Sequence, residues 1–226
     1  MKTMTLRTLA TLAAFALLGL AAGCESDSVA PQDTLPPISA EDAAYQSGLI
    51  AAAISQISPE IMNPTLPGKQ VVNVTWGGQF GLTGTVRIDY RNGPDGDPAT
   101  STAATWARLF TDEDAPVVFT VPDLGGQTRF DLEVTATLDQ LADQATILSG
   151  SGGTMTSGEY VVTFVLAGIV VGGSGYPEQG SMTVTAGTHT AAVTFNGTNT
   201  ATMIVDSSVT YSIDLDTGEV TTGAPF

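Results

Sequence analysis

The sequence predicts an all-β fold, an antiparallel sandwich or an up-and-down barrel, with one short N-terminal helix. Three observations predict it. From Gln70 onward, apolar residues recur at every second position in short runs. Those runs fall about nine residues apart and are separated by turn residues, the rhythm of a sandwich or barrel. Apolar spacing of four and three residues marks one segment, residues 39–58, as a helix ahead of them.

The helix is expected over 39–58. Ser39 can cap its start, and Glu41 and Asp42 put negative charge in the first turn, where the helix dipole favours it. Ile50, Ile54 and Ile57 form an apolar stripe that thins through Ser47 to Ala43. Gly48 inside the pattern costs about 1 kcal/mol against alanine. Pro59 disfavours helical backbone at Ser58 and forces the stop. A single stripe has to pack on something, and a sheet face or barrel mouth is the expected seat; docking of a partner protein is the alternative.

Strands follow. Val72, Val74 and Trp76 alternate with polar neighbours, as do Val86, Ile88 and Tyr90 with Arg87 and Asp89. The clearest run is Phe130, Leu132, Val134, Ala136 and Leu138 against Asp131, Glu133, Thr135 and Thr137. Such alternation marks strands with one buried and one wet face. Residues 160–171 are apolar without obvious alternation, so a strand buried on both sides, or covered by the helix, is expected there. The Ser/Gly stretch from Ser149 to Gly158 reads as a spacer between two β halves or as one long hairpin loop.

The C-terminal part reads as a meander. Met182 and Val184 belong to one strand, Ala191, Val193 and Phe195 to the next, with Asn196-Gly197 as a tight hairpin. Ala201, Met203 and Val205 then lead through an Asp206-Ser207 turn to a last strand with Val209, Tyr211, Ile213 and Leu215. Residues 70–226 are expected to make one antiparallel β domain. The ending, Val193-Thr-Phe-Asn-Gly-Thr198 and Tyr211-Ser-Ile-Asp-Leu-Asp-Thr-Gly218, resembles the tails of other exported bacterial β proteins of unknown function and brings no activity with it.

The first residues carry a different message. Lys2 and Arg7 precede an apolar run from Leu9 to Leu20, followed by Ala21, Ala22, Gly23 and Cys24. This is the charged, apolar, small-residue layout of a secretory signal over 1–23. The apolar run is too short for the roughly 20 residues that span a bilayer. Leu20-Ala21-Ala22-Gly23-Cys24 resembles the lipobox of bacterial lipoproteins, although Ala21 stands where that family prefers Leu. The resemblance implies a diacylglyceryl group on the Cys24 sulfur and cleavage just before it. Glu25, where a retained inner-membrane lipoprotein would carry Asp, implies the outer membrane. Cys24 is the single cysteine, so no internal disulfide can form. Residues 24–38, acidic and proline-bearing, are expected to be a flexible tether.

Charge narrows the partners. Without residues 1–23 the basic residues fall from seven to five against 23 acids, a formal charge of −18. Nucleic acid is an unsuitable partner, because its affinity rests on Lys and Arg neutralising phosphates. Cations, basic proteins or neutral glycans are the compatible classes, with another envelope protein or a glycan as the expected partner. The five basic residues, Lys69, Arg87, Arg91, Arg108 and Arg129, all lie between 69 and 129.

Chemistry leaves few traces, and no cofactor is expected. His189, the sole histidine, reads as an exposed turn residue, and a Ser-His-Asp site would need it held beside a nucleophile. A zinc site would want several His or Cys ligands. Two clusters offer hard oxygen ligands for calcium: Asn92, Asp95 and Asp97, and Asp214 and Asp216 ahead of Gly218 and Glu219. Aspartate and glycine are equally what turns prefer. Trp76, Trp106, Phe110 and Phe119 belong either to the core or to a ligand surface. The leading expectation is a lipid-anchored, non-enzymatic binding or structural module of the envelope. A carrier holding an apolar ligand in a barrel or half-barrel is the alternative, and a carboxylate-based hydrolase the third.

Overall fold

The computed structural model describes residues 37–62, 69–77, 81–100, 102–111, 116–121, 126–172 and 175–222. For 69–77, 82, 119–121, 126 and 127 only the backbone is described. The signal, Cys24 and the tether as far as Pro36 lie outside the described residues. Among the described residues no helix is long and apolar enough to cross a membrane.

Helix α1 spans Ala40–Ile57 and continues into a 3-10 turn over Ser58–Met62. Its start is the expected one. The Asp42 amide donates to Ser39 Oγ at 3.1 Å, and the Asp42 carboxylate accepts from the Ser39 amide, closing a reciprocal cap.

The strands come in chain order as β1 (Lys69–Gly77), β2 (Gly81–Arg91), β3 (Trp106–Thr111) and β4 (Val117–Val121). They continue as β5 (Gly126–Asp139), β6 (Gln144–Ile147), β7 (Gly152–Ser157) and β8 (Tyr160–Val171). The meander is β9 (Pro177–Ala186), β10 (His189–Phe195), β11 (Thr200–Val205), β12 (Val209–Asp214) and β13 (Val220–Thr222). All pair antiparallel in one continuous sheet, which makes the fold all-β with a single α-helix among the described residues. The sheet is not split into two layers by its pairing, and in that it is closer to the up-and-down expectation. Among the described residues its end strands, β1 and β13, each pair on one side only.

The helix departs from expectation in one respect: it is buried all round and not along one stripe. Leu49, Ile50, Ala51, Ala52, Ala53 and Ile54 are all fully buried, as is Ser47. A helix apolar on every face belongs inside a core. Here α1 meets β9 through β13, the 3-10 turn meets β6, and the Tyr90 hydroxyl on β2 donates to the Ile61 carbonyl at 3.0 Å. The sheet therefore curls around the helix. Small residues make this possible. A Cβ on Gly48 would lie 3.0 Å from the Gly218 carbonyl oxygen and would overlap the Val220 side chain. The glycine that weakens the helix is what lets β13 close on it.

Four strand expectations need correction. Residues 160–171 do alternate: Val162, Phe164 and Leu166 are buried, while Val161 and Val165 are 53% and 52% exposed. Outward valines hid the pattern. The Ser149–Gly158 stretch is neither spacer nor loop, because Gly152–Ser157 is β7, paired with both β5 and β8. Asn196-Gly197 lies in a wider loop between the paired Phe195 and Ala201, with Asn196 Oδ1 accepting from the Thr198 amide at 3.1 Å. The tight hairpin is Gly187-Thr188, between Ala186 and His189. Finally, β12 is followed by β13, which pairs with it.

The sheet is irregular on both sides of β5. Strand β2 pairs with β3 over Val86–Arg91 and with β4 over Gly81–Thr83. Thus β3 and β4 occupy one lane, interrupted between Thr111 and Val117. Likewise β6 and β7 share a lane between β5 and β8, interrupted between Ile147 and Gly152. Both broken lanes flank β5.

Candidate functional site

Interrupted ladders need substitute hydrogen bonds, and side chains supply them here. The Leu132 amide of β5 donates to Thr111 Oγ1 at 3.0 Å, and the Thr135 amide donates to Ser151 Oγ at 3.0 Å. Irregular strands often re-aim side chains beside functional sites. Between these two stitches the outward face of the sheet sinks into an open groove of about 750 Å³. A smaller hollow of about 270 Å³ shares Glu133, Gly152 and Gly153 with it and reaches Val165 of β8.

The register explains which residues line it. Arg87 pairs with Phe110, Phe110 with Glu133, Glu133 with Gly152, and Gly152 with Val165. One row of outward positions thus crosses five lanes, and it is lowest at Gly152, which has no side chain. A Cβ there would collide with the Phe164 carbonyl oxygen. Arg108, Arg129, Asp131 and Thr154 stand in the neighbouring rows.

Three of the five basic residues beyond the signal, Arg87, Arg108 and Arg129, line this groove together with two acids, Asp131 and Glu133. Arg108 Nε and Nη2 each donate to Glu133 Oε1 at 2.9 Å. Arg129 Nε lies 2.9 and 2.8 Å from the two oxygens of Asp131. The Arg108 guanidinium also lies 4.9 Å over the Phe110 ring, a cation–π contact that fixes its plane. Both acids are partly or well exposed and each is matched to an arginine. That is the arrangement of a charge-compensated surface, not of a buried proton donor.

No known protein family, curated protein or solved structure matches the chain.

Of the residues singled out in the sequence, Phe110 lines the groove and Trp106, four residues earlier on β3, is buried. The side chains of Trp76 and Phe119, and Cys24 altogether, lie outside the described residues. The calcium candidates serve as turn residues. The Asn92 amide donates to the Asp97 carbonyl at 3.1 Å, closing the loop that holds Asp95. Asp214 Oδ1 accepts from the Asp216 and Thr217 amides at 2.9 and 3.1 Å. Asp216 accepts from the Tyr176 hydroxyl at 2.7 Å, a bond that raises the tyrosine pKa. Among the described residues no group of three or more His, Cys, Asp or Glu comes together. The Tyr90 hydroxyl, pushed up to about 12 by burial and then by the Glu60 charge, stays a donor.

His189 is more than an exposed turn residue. Its Nδ1 lies 2.6 Å from Asp206 Oδ2, and its Nε2 lies 3.1 Å from the Ile38 carbonyl oxygen. Both partners only accept, so the ring can donate to both at once only in its protonated form. The hydrogen bond to Asp206 raises the histidine pKa, and the same bond holds the carboxyl of Asp206 low. The ring clamps the residue ahead of the helix cap to the β11–β12 turn.

The groove was missed in the sequence for two reasons. Its floor lies in the stretch read as a spacer, and its arginines are spread over three strands. The crowding of every basic residue beyond the signal into 69–129 was the available signal.

Proposed function

We propose that this chain is a lipid-anchored protein of the cell envelope, held at the outer membrane through Cys24, whose β domain is a non-enzymatic binding module. The groove beside β5 is its binding face. One observation carries the assignment: the sheet breaks on both sides of one strand, and three arginines of an otherwise acidic chain gather at the breaks. The helix supports a module over a carrier, since α1 fills the space around which the sheet curls, where an apolar cargo would have to sit. The pattern at residues 20–24 supports the anchor.

Two experiments test the two parts. Growth with labelled palmitate should label the wild type and not Cys24→Ala; equal labelling defeats the anchor. A photo-crosslinking side chain at Thr154 should give an adduct in intact cells that disappears in Arg108→Glu/Arg129→Glu, while the same probe at Ile204, outward on β11, should not. Adducts indifferent to the arginines would move the binding face elsewhere.

A further inference from the structure

Independently of the groove, we infer that the loop after β2 carries a self-modifying site, Asn92, whose side-chain amide is lost with time to give aspartate and isoaspartate. The chemistry belongs to Asn-Gly and Asp-Gly pairs, because glycine has no Cβ to shield its nitrogen from the preceding side chain. The chain has three such pairs: Asn92-Gly93, Asp95-Gly96 and Asn196-Gly197. The fold treats them differently.

In the reaction the backbone nitrogen of the glycine loses its proton and bonds to the side-chain Cγ of the residue before it. The bond from Cγ to the side-chain nitrogen breaks, that nitrogen leaves as ammonia with the proton, and a succinimide ring remains. Water then opens the ring at either carbonyl. One opening restores the backbone as aspartate, and the other reroutes it through Cβ as isoaspartate. An aspartate passes through the same ring with loss of water in place of ammonia. Nothing is oxidised or reduced, and solvent water is the only co-reactant.

The glycine nitrogen decides between the pairs. Gly197 donates its N–H to the Pro177 carbonyl of β9 at 2.9 Å, and Asn196 Oδ1 is held by the Thr198 amide and hydroxyl at 3.1 and 2.7 Å. Gly96 donates its N–H to the Gly93 carbonyl at 3.1 Å. A nitrogen that shares its proton with a carbonyl keeps it, and that bond has to break before attack. Among the described residues the Gly93 N–H has no acceptor, and the exposed Asn92 side chain has no hydrogen bond. Gly93 holds a φ of +96°, which glycine adopts without strain. The turn thus selects the one residue type that leaves Asn92 open to attack.

Peptide mapping by mass spectrometry of the purified full-length protein, kept folded at mildly alkaline pH, tests the inference. Conversion of amide to acid should accumulate at Asn92 at least about tenfold faster than at Asn196, whose glycine nitrogen has first to be released. In urea, where neither pair is protected, the two rates should converge. Aged folded protein should also accept labelled methyl groups from an isoaspartate-specific methyltransferase. Asn92→Gln, whose longer side chain cannot close the five-membered ring, should lose that labelling. Labelling that persists in Asn92→Gln places the reactive pair elsewhere and overturns the assignment. Equal rates at Asn92 and Asn196 in the folded protein overturn it too, as does a difference that survives undiminished in urea, because the fold would then not be what separates them.

Discussion

The two halves of the sheet use the same alternating residues to different ends. From β9 to β12 the registers run without a break, the turns are short, and no lysine or arginine is present. From β2 to β8 two lanes are interrupted, β8 shifts register between Ala167 and Val170, and the arginines are concentrated there. The regular half grips α1, which meets every strand from β9 to β13. The irregular half forgoes ladder bonds and acquires a concave, charged outer surface. Regularity serves the core, and interruption makes the site.

If that division is right, the largest losses of stability come from the helix and its clasp. Ile54 is fully buried inside the curled sheet, so Ile54→Ala should cost about 2–5 kcal/mol in denaturant unfolding. Gly48→Leu should cost about 1–3 kcal/mol by overpacking. Its signature is faster hydrogen exchange in Val220–Thr222, because the new side chain meets Val220 first. Normal exchange there would mean that β13 does not close on the helix at this position.

The next effect contrasts the halves directly. Gly152→Val should destabilise by about 1–3 kcal/mol, since its side chain has to displace the Phe164 backbone, and should also fill the groove. The matching change on the regular half, Thr183→Val on the exposed face of β9, should stay within about 0.5 kcal/mol. Equal effects would remove the distinction between a floor that must be glycine and an ordinary outward position.

How much of this could be read in advance follows the same division. The meander was legible strand by strand, because Met182 through Ile213 alternate cleanly and each side chain's neighbours in sequence fix its face. The helix was legible in extent and cap, yet its all-round burial was not. Ser47 and Gly48 look like a polar interruption, yet both are buried, and Gly48 lies against Gly218 and Val220. Strand β7 was illegible because Gly152 and Gly153 carry no periodic signal; its place is fixed by β5 and β8 on either side. The groove needed three strands in register before Arg87, Arg108 and Arg129 could be seen together. His189 was judged by its turn neighbours, while its partners lie 17 and 151 residues away in sequence.

A subtler test concerns that histidine, at the join between the regular half and the chain leading to the anchor. Its pKa is raised by Asp206, so its contribution to holding Ile38 is complete below the ordinary imidazole value of about 6.5 and is lost as pH rises through the raised one. The Asp206 pKa is lowered, so its share is complete above about 4 and is lost as pH falls through the lowered value. The clamp should therefore be tightest between about pH 4 and 6.5. Hydrogen exchange at the first helical amides should quicken as pH rises beyond that window, after correction for intrinsic rates, and His189→Ala should abolish the change. A variant that keeps the same pH profile would show that the clamp does not hold the helix entrance.

The smallest expected effect separates binding from stability. Arg108 and Glu133 are exposed, and such pairs contribute about 0.2–1 kcal/mol because water screens them and ordering long side chains costs entropy. A double-mutant cycle with Arg108→Ala and Glu133→Ala should return a coupling in that range. The crosslink from Thr154 should nonetheless weaken with Arg108→Ala. Were the cycle to give several kcal/mol, the charges at the breaks would be there to hold the interrupted sheet together. The irregular half would then be irregular for its own packing, and the contrast with the meander would cease to point to function.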